Sequence, residues 1–358
     1  MPTASPPDVV DVVVIGAGIG GLHAARLLHE VGRTVVVLER RDRIGGRLRT
    51  DELAGAPVDL GATWFWPNEP RVNALVAEHG LRTHPQNLAG DAIYHEPSGS
   101  KRVDGNPLDV PSGRFSDGAA SLARAEAARL PVDAIRLATT ATQIDATGDD
   151  LVISTDDGTT LAAREVIVAL PPALAVADLA FVPALDPAVA AVAAATPVWM
   201  GTTTKVVIRF AEPFWRPAGL AGSAISHYGP MREIHDMSGA DGDAALFGFV
   251  PRTGGAAPDE PAIRRQLSEL FGPGHPEPLA IMILDWSTER ATTPPGAETL
   301  TDYGTYGHRV FQTPTLGDRL HWASTETAPV NPGHIDGALA AAARAAGAIR
   351  SRHESTLR

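Results

Sequence analysis

The segment Gly16-Ala17-Gly18-Ile19-Gly20-Gly21 narrows the folds open to this chain more than any other feature. Before it runs Val9 to Ile15, a short β-branched stretch of the kind buried in parallel sheets. After it, Leu22, Ala25, Leu27 and Leu28 recur at helical spacing from Ile19 to Val31, and Gly32 supplies a stop. Thr34 to Leu38 is a second buried strand, closed by Glu39. Each glycine has its own reason. Gly16 permits the tight turn, Gly18 lets backbone approach a pyrophosphate, and Gly21 lets helix and strand pack closely. The helix start at Ile19 and Gly20 offers free N–H groups and a partial positive charge to phosphates. A carboxylate at Glu39 can accept both ribose hydroxyls, and it would repel the 2′-phosphate of NADP. These residues predict an α/β, Rossmann-type dinucleotide-binding domain.

Composition bounds the rest. A chain of 358 residues can bury a large core and probe two joined domains. With 44% hydrophobic and 20% charged residues it is not a mainly disordered chain. A net charge of −12 argues against a nucleic-acid partner. No cysteine is present, so disulfides, thiolate metal sites and a cysteinyl-flavin bond are impossible. Met1 to Asp8 lacks the basic start and apolar stretch of a signal peptide, and no long apolar run suits a membrane span. A cytoplasmic address is the expectation.

Further along, Arg71–His79 reads as a helix, 83–115 as loop with a hairpin at Ala92–Tyr94, and Ser116–Leu130 as a helix. Ile135–Ile144 reads as one strand, Leu151–Thr155 and Thr159–Ala162 as a hairpin, and Glu165–Leu170 as another buried strand. Helix is expected within 173–195 and over Ala262–Phe271, strands over Thr202–Phe210, Leu279–Asp285 and Arg319–Ala323, loop over 291–308, and a last helix over Ile335–Arg350. The twelve histidines lack zinc spacing, so no metal is expected. His227, His235 and Asp236 read as a solvated strand edge.

The identity of the dinucleotide follows from Arg40-Arg41-Asp42-Arg43-Ile44-Gly45-Gly46-Arg47. The Gly-Gly step lets backbone pass close to a ligand, and Arg47 can neutralise a pyrophosphate. Glu39 and Arg40 followed by Gly45-Gly46-Arg47 resemble the second FAD signature of the flavin amine oxidase superfamily. That group includes monoamine and polyamine oxidases, L-amino acid oxidases and protoporphyrinogen oxidase. Asp59-Leu60-Gly61-Ala62-Thr63-Trp64 is similar to the family loop that passes the flavin ring. Leu137 to Ile144 resembles the strand whose backbone reads the adenine, with Ala141 where valine is usual. His321 to Ala328, then Gly333-His334-Ile335-Asp336-Gly337-Ala338, is similar to the C-terminal flavin motif, with Ser324 where glycine is usual. In that motif Glu326 meets the ribitol-phosphate, and a backbone N–H near Ile335 faces the isoalloxazine.

The resemblance implies non-covalent FAD in a glutathione-reductase-like domain made of 1–82, 116–188 and 291–358. A discontinuous α+β substrate domain would comprise 83–115 and 189–290. Lys205, ahead of Glu212-Pro213-Phe214-Trp215, resembles the family's catalytic lysine, which holds a water against flavin N5, and Trp286 fits the tryptophan beside that water. The implied reaction is hydride transfer from a carbon bearing nitrogen to flavin N5, with dioxygen as acceptor and hydrogen peroxide as product. The start of the last helix would stabilise charge near flavin N1.

Two departures qualify this. The family flanks its flavin with two aromatic rings, but one position here is His334, which can stack and also titrate. The other lies in a segment that does not align, where Tyr303 or Tyr306 are candidates. The family's helical insert between the Tyr94 and Ser116 regions is also largely missing, which implies a more open site or one closed by a second subunit or partner protein. Three readings stay open: an amine or amino-acid oxidase, a non-amine flavin oxidase or desaturase (including a renalase-like dihydronicotinamide oxidase), and a flavin-binding partner subunit with little turnover.

Overall fold

The computed structural model describes residues 9–251 and 257–356, so the Met1–Asp8 reading lies outside the described residues. Two large sheets organise the chain. In the first, Val10–Ile15 pairs in parallel with Val35–Leu38 on one side and Thr160–Val168 on the other. Ile135–Arg136 extends one edge in parallel. Leu320–Trp322 pairs with the upper half of Thr160–Val168, and Leu151–Thr155, Ala141–Asp145 and Ala180–Val182 complete the other edge.

Burial on both faces explains why the central strands are continuous β-branched runs. Val12 and Val14 enter a core shared with the helices Ile19–His29, Ala120–Ala127 and Ile335–Thr356. Val13 and Ile15 face the opposite way, into a core shared with Pro172–Asp178 and Pro187–Ala195. This period of two leaves neither face to water.

The second sheet has the order Ala280–Asp285, Thr203–Arg209, Ala245–Pro251, Glu233–Asp236, Leu220–Ser226, Asp91–Glu96, Gly99–Val103. Val206 and Ile208 pack toward the helix Glu260–Phe271. Lys205 and Val207, on the alternate face, point at the loop carrying Leu60. The second sheet therefore presents its lysine to the loop that carries Leu60 and Gly61.

Several expectations are corrected. Thr159–Ala162 and Glu165–Leu170 are one nine-residue strand, Thr160–Val168, which exchanges an antiparallel partner for parallel ones along its length. Ile135–Ile144 is broken because Ala138 takes a positive φ of 49°, which sends its two halves to opposite edges of the sheet. The 173–195 stretch holds two helices separated by the strand Ala180–Val182. The hairpin Thr50–Leu53 with Ala56–Asp59 was not anticipated. His235 and Asp236 are buried in an inner strand, not on a solvated edge, because the sheet continues through three further strands beyond them. His227 is exposed.

Candidate active site

Between the two sheets lies one cavity of about 500 Å³, walled by the glycine turn at one end and by Lys205, Trp286 and His334 at the other. The turn is built by steric demand. A Cβ on Gly21 would sit 1.9 Å from the Gly16 carbonyl oxygen, and one on Gly20 would sit 2.5 Å from that of Ala323. Gly16 itself has φ +105°. Gly18 is different: a Cβ there meets nothing within 4 Å, because it faces the cavity. Gly21 thus serves packing, whereas Gly16, Gly18, Ile19 and Gly20 line the space.

The residues present fit a dinucleotide. The helix Ile19–His29 begins without any side-chain cap, leaving its first N–H groups for a ligand's phosphate oxygens. Glu39, 4% exposed, accepts from Ala17 N at 2.8 Å and from Arg41 N at 3.0 Å. Those bonds lock the turn to the second strand and orient the carboxylate along the cavity wall. A Cβ added to Gly46, whose φ is +57°, would sit 3.2 Å from the Gly18 Cα, so the second signature closes over the first. Gly61, Ala62, Thr63 and Ile335 line the same cavity.

Three further expected contacts, Arg40, Ala141 and Glu326, do not line the main cavity. Arg40 turns outward to Asp178 at 2.8 Å, and it borders only a small adjoining recess that also includes Glu39 and Ala141. Arg41 lines the main cavity in its stead, held by Thr292 Oγ1 at 2.6 Å. Arg47 is engaged by Glu326 through two bonds of 2.6 and 3.0 Å, and Glu326 is fully buried behind the wall. The pair is bidentate because a planar guanidinium matches a carboxylate. Glu326 therefore acts on the cavity through Arg47, and the arginine's charge is already shared.

At the opposite end, Lys205 is 2% exposed. Its Nζ donates to the Gly61 carbonyl at 2.9 Å and to Thr63 Oγ1, and stands 4.2 Å from the centre of the Phe247 ring. Burial pushes this ammonium down to about 7, with Asp59 opposing the shift and Arg114 adding to it. Trp286 is buried in a 3₁₀ turn after the strand Ala280–Asp285, and its indole N–H donates to Leu60 O at 2.9 Å. Both side chains grip the 60–63 loop from below. His334 stands at the start of the last helix, with Nδ1 2.6 Å from Glu69 Oε1 and its ring 4.8 Å from that of Trp66.

The tyrosines that could have paired with His334 do not wall the cavity. Tyr306 donates to Pro197 O at 3.0 Å, and Tyr303 is exposed against Trp199; neither lines the cavity. Trp64, Trp66, Trp199 and Phe249 do, together with Arg232 and Glu233. Trp199, Phe249, Arg232 and Glu233 went unnoticed in the sequence. The only signal for Trp199 was a large ring in a short loop ahead of the lysine strand. Arg232, Glu233 and Phe249 carried none, since they meet the cavity only because their two strands pair. Among the described residues no helix is long and apolar enough to cross a membrane, and no cluster of metal-binding side chains occurs.

Comparison with known proteins gives the same picture. A family model described as flavin containing amine oxidoreductase matches residues 19–117 and 112–350. AofH of Mycobacterium tuberculosis, described as a flavin-containing monoamine oxidase, is 29% identical over 455 aligned positions, covering 96% of this chain and 97% of its own. That alignment is longer than this chain of 358 residues, so the relative carries extra segments here absent. Putrescine oxidase of Kocuria rosea is 45% identical over 93 residues, 26% of this chain and 20% of that protein. A solved structure of putrescine oxidase bound to putrescine superposes with a TM-score of 0.83 at 21% identity, covering 97% of this chain and all of that one, which shows a shared fold. The chain belongs to the flavin containing amine oxidoreductase family, as an FAD-dependent oxidoreductase of the amine oxidase type.

Proposed function

We propose that this protein oxidises the C–N bond of a small amine, passing a hydride to flavin N5 and electrons onward to dioxygen to give hydrogen peroxide. The observation that carries the reading is the single cavity joining the glycine turn and Glu39 to Lys205, Trp286 and His334. FAD supplies the hydride acceptor when bound. The chain's part is to orient, exclude water and manage protons. Segments 1–82, 116–188 and 291–358 hold the cofactor in this reading, and 83–115 with 189–290 supply the substrate wall.

Gly16, Gly18, Ile19, Gly20, Glu39, Arg41, Gly46 and Arg47 would hold the dinucleotide, and Gly61, Ala62, Thr63 and Ile335 would hold its flavin end. Lys205 holds a proton relay at the 61–63 loop. Its lowered proton affinity lets it exchange a proton near neutral pH, which an ordinary lysine does not do. Trp286 fixes the loop against which the lysine works. Trp64, Trp66 and Phe249 give the substrate's carbon skeleton an apolar surface.

The test is anaerobic bleaching of the yellow holoprotein by benzylamine, putrescine, L-amino acids and NADH, followed by peroxide assay in air. Bleaching by an amine is expected. Bleaching by NADH alone would replace the amine with a dihydronicotinamide, and bleaching by nothing would leave a flavin-binding subunit.

A further inference from the structure

We propose that Glu69 and His334 form a proton-accepting pair, which takes the proton from an arriving ammonium so that the amine is neutral when its C–H bond breaks. The inference rests on the amine reading above. A simple alkylamine has a proton affinity like that of lysine, so it reaches the site as an ammonium at neutral pH. Hydride departure needs the nitrogen lone pair. Some group on the cavity wall must therefore accept a proton.

The wall offers few acceptors. Arg41, Arg47 and Arg232 are cations, Glu39 lies at the nucleotide end with both oxygens engaged, and Lys205 has its Nζ turned onto the 61–63 loop, where it donates to Gly61 and Thr63, and stands as the rival acceptor that Lys205→Met tests. Glu233 stands at the rim with its side chain 56% exposed. His334 is placed for the task. Glu69 is 2% exposed and is fixed by accepting from Trp66 N at 3.0 Å through its other oxygen. A carboxylate only accepts, so the His334 Nδ1 at 2.6 Å from it must carry the hydrogen. The neutral ring then keeps its lone pair on Nε2, the nitrogen not turned to Glu69, while the ring itself lines the cavity.

The surroundings hold that geometry. The His334 amide donates to Asn331 O at 3.1 Å, and Thr325 Oγ1 donates to its carbonyl at 2.8 Å. Trp66 limits the ring plane. The other charged groups nearby are matched: Asp336 with Arg71 at 3.1 Å on the same helix start, and Glu326 with Arg47 behind Thr325. Glu69 is thus the charge that faces the imidazole directly, and it offsets the unfavourable positive end of the helix for an imidazolium. The step balances as R–CH₂–NH₃⁺ plus neutral His334 giving R–CH₂–NH₂ plus His334 protonated at Nε2. The imidazolium then returns its proton to water, since the His334 side chain is 36% exposed.

The experiment measures anaerobic flavin reduction by benzylamine and putrescine in the holoenzyme, from about pH 5 to about pH 10. In the wild type the acid limb of the rate should follow the imidazole. His334→Phe keeps a ring against Trp66 but removes the acceptor, so the limb should move up by about two pH units, toward the amine's own pKa. Glu69→Gln removes the carboxylate that holds the Nδ1 hydrogen, so the limb should leave its wild-type position. A uniform loss of rate with no movement of the limb, or movement only in Lys205→Met, overturns the proposal while leaving amine oxidation intact. If neither amine bleaches the flavin, the amine reading fails on its own, and ¹⁵N-histidine NMR of the holoprotein still judges the pair. A neutral His334 with hydrogen on Nδ1, a preference lost in Glu69→Gln, supports it; hydrogen on Nε2 overturns it.

Discussion

The two ends of the cavity are made in different ways. At the nucleotide end, the wall is mostly backbone from one short segment, Gly16 to Gly20, with Glu39 bonded across it. At the substrate end, it is side chains from far-apart segments: Trp66, Trp199, Lys205, Phe249, Trp286 and His334. A site made of consecutive backbone depends on the absence of side chains, whereas a site of dispersed side chains depends on their identity and support. Substitutions should therefore fail differently at the two ends.

The largest effect belongs to Gly21→Ala. Its Cβ would lie 1.9 Å from a backbone oxygen, and relief requires helix and strand to part, at a cost on the order of 4 kcal/mol or more. We expect colourless, largely insoluble protein. Gly18→Ala has no such clash and no positive φ, so it should fold with an unchanged melting temperature yet bind FAD roughly tenfold or more weaker. Equal destabilisation of the two variants, read by calorimetry and flavin titration, would remove the distinction between packing and binding glycines.

At the other end, Lys205→Met should keep FAD and slow flavin turnover by roughly 100-fold. Its stability should also report the buried charge. The folded-state proton affinity of Lys205 lies near 7, below the ordinary lysine value of 10.5, so the unfolded chain binds more proton between those values. Wild-type stability relative to Lys205→Met should accordingly rise as pH increases from 7 to 10.5. A pH-independent difference in denaturant midpoints would show that the ammonium is not desolvated. The smallest effect is expected for Trp199→Ala, a raised KM of about threefold with kcat little changed. Loss of FAD in that variant would instead assign Trp199 to the cofactor end, beside Arg47, whose guanidinium bonds its carbonyl.

The same contrast explains what was legible beforehand. The strand–turn–helix unit, Glu39 and the Gly45-Gly46-Arg47 step are local patterns, and all lie where those patterns put them. Lys205 and Trp286, singled out through the family resemblance, both line the cavity. Arg40 was misplaced because two adjacent arginines are equivalent in a string of letters; the turn of the chain after Glu39 sends one to Asp178 and the other into the cavity. Glu326 lies behind Arg47 and not on the cavity wall, and nothing local reveals that residues so distant in sequence form an ion pair.

What the amino-acid string determined alone is the parallel sheet and the glycine turn that lines the cavity. Both follow from forces acting within about thirty residues: β-branched burial, helical periodicity and the steric need for glycine. Only the tertiary structure decided which aromatic rings wall the cavity, and that a buried carboxylate at Glu69 stands behind His334. Those relations are set by how the second sheet docks on the first. Docking is governed by the summed packing of many side chains, so no short stretch of sequence records it.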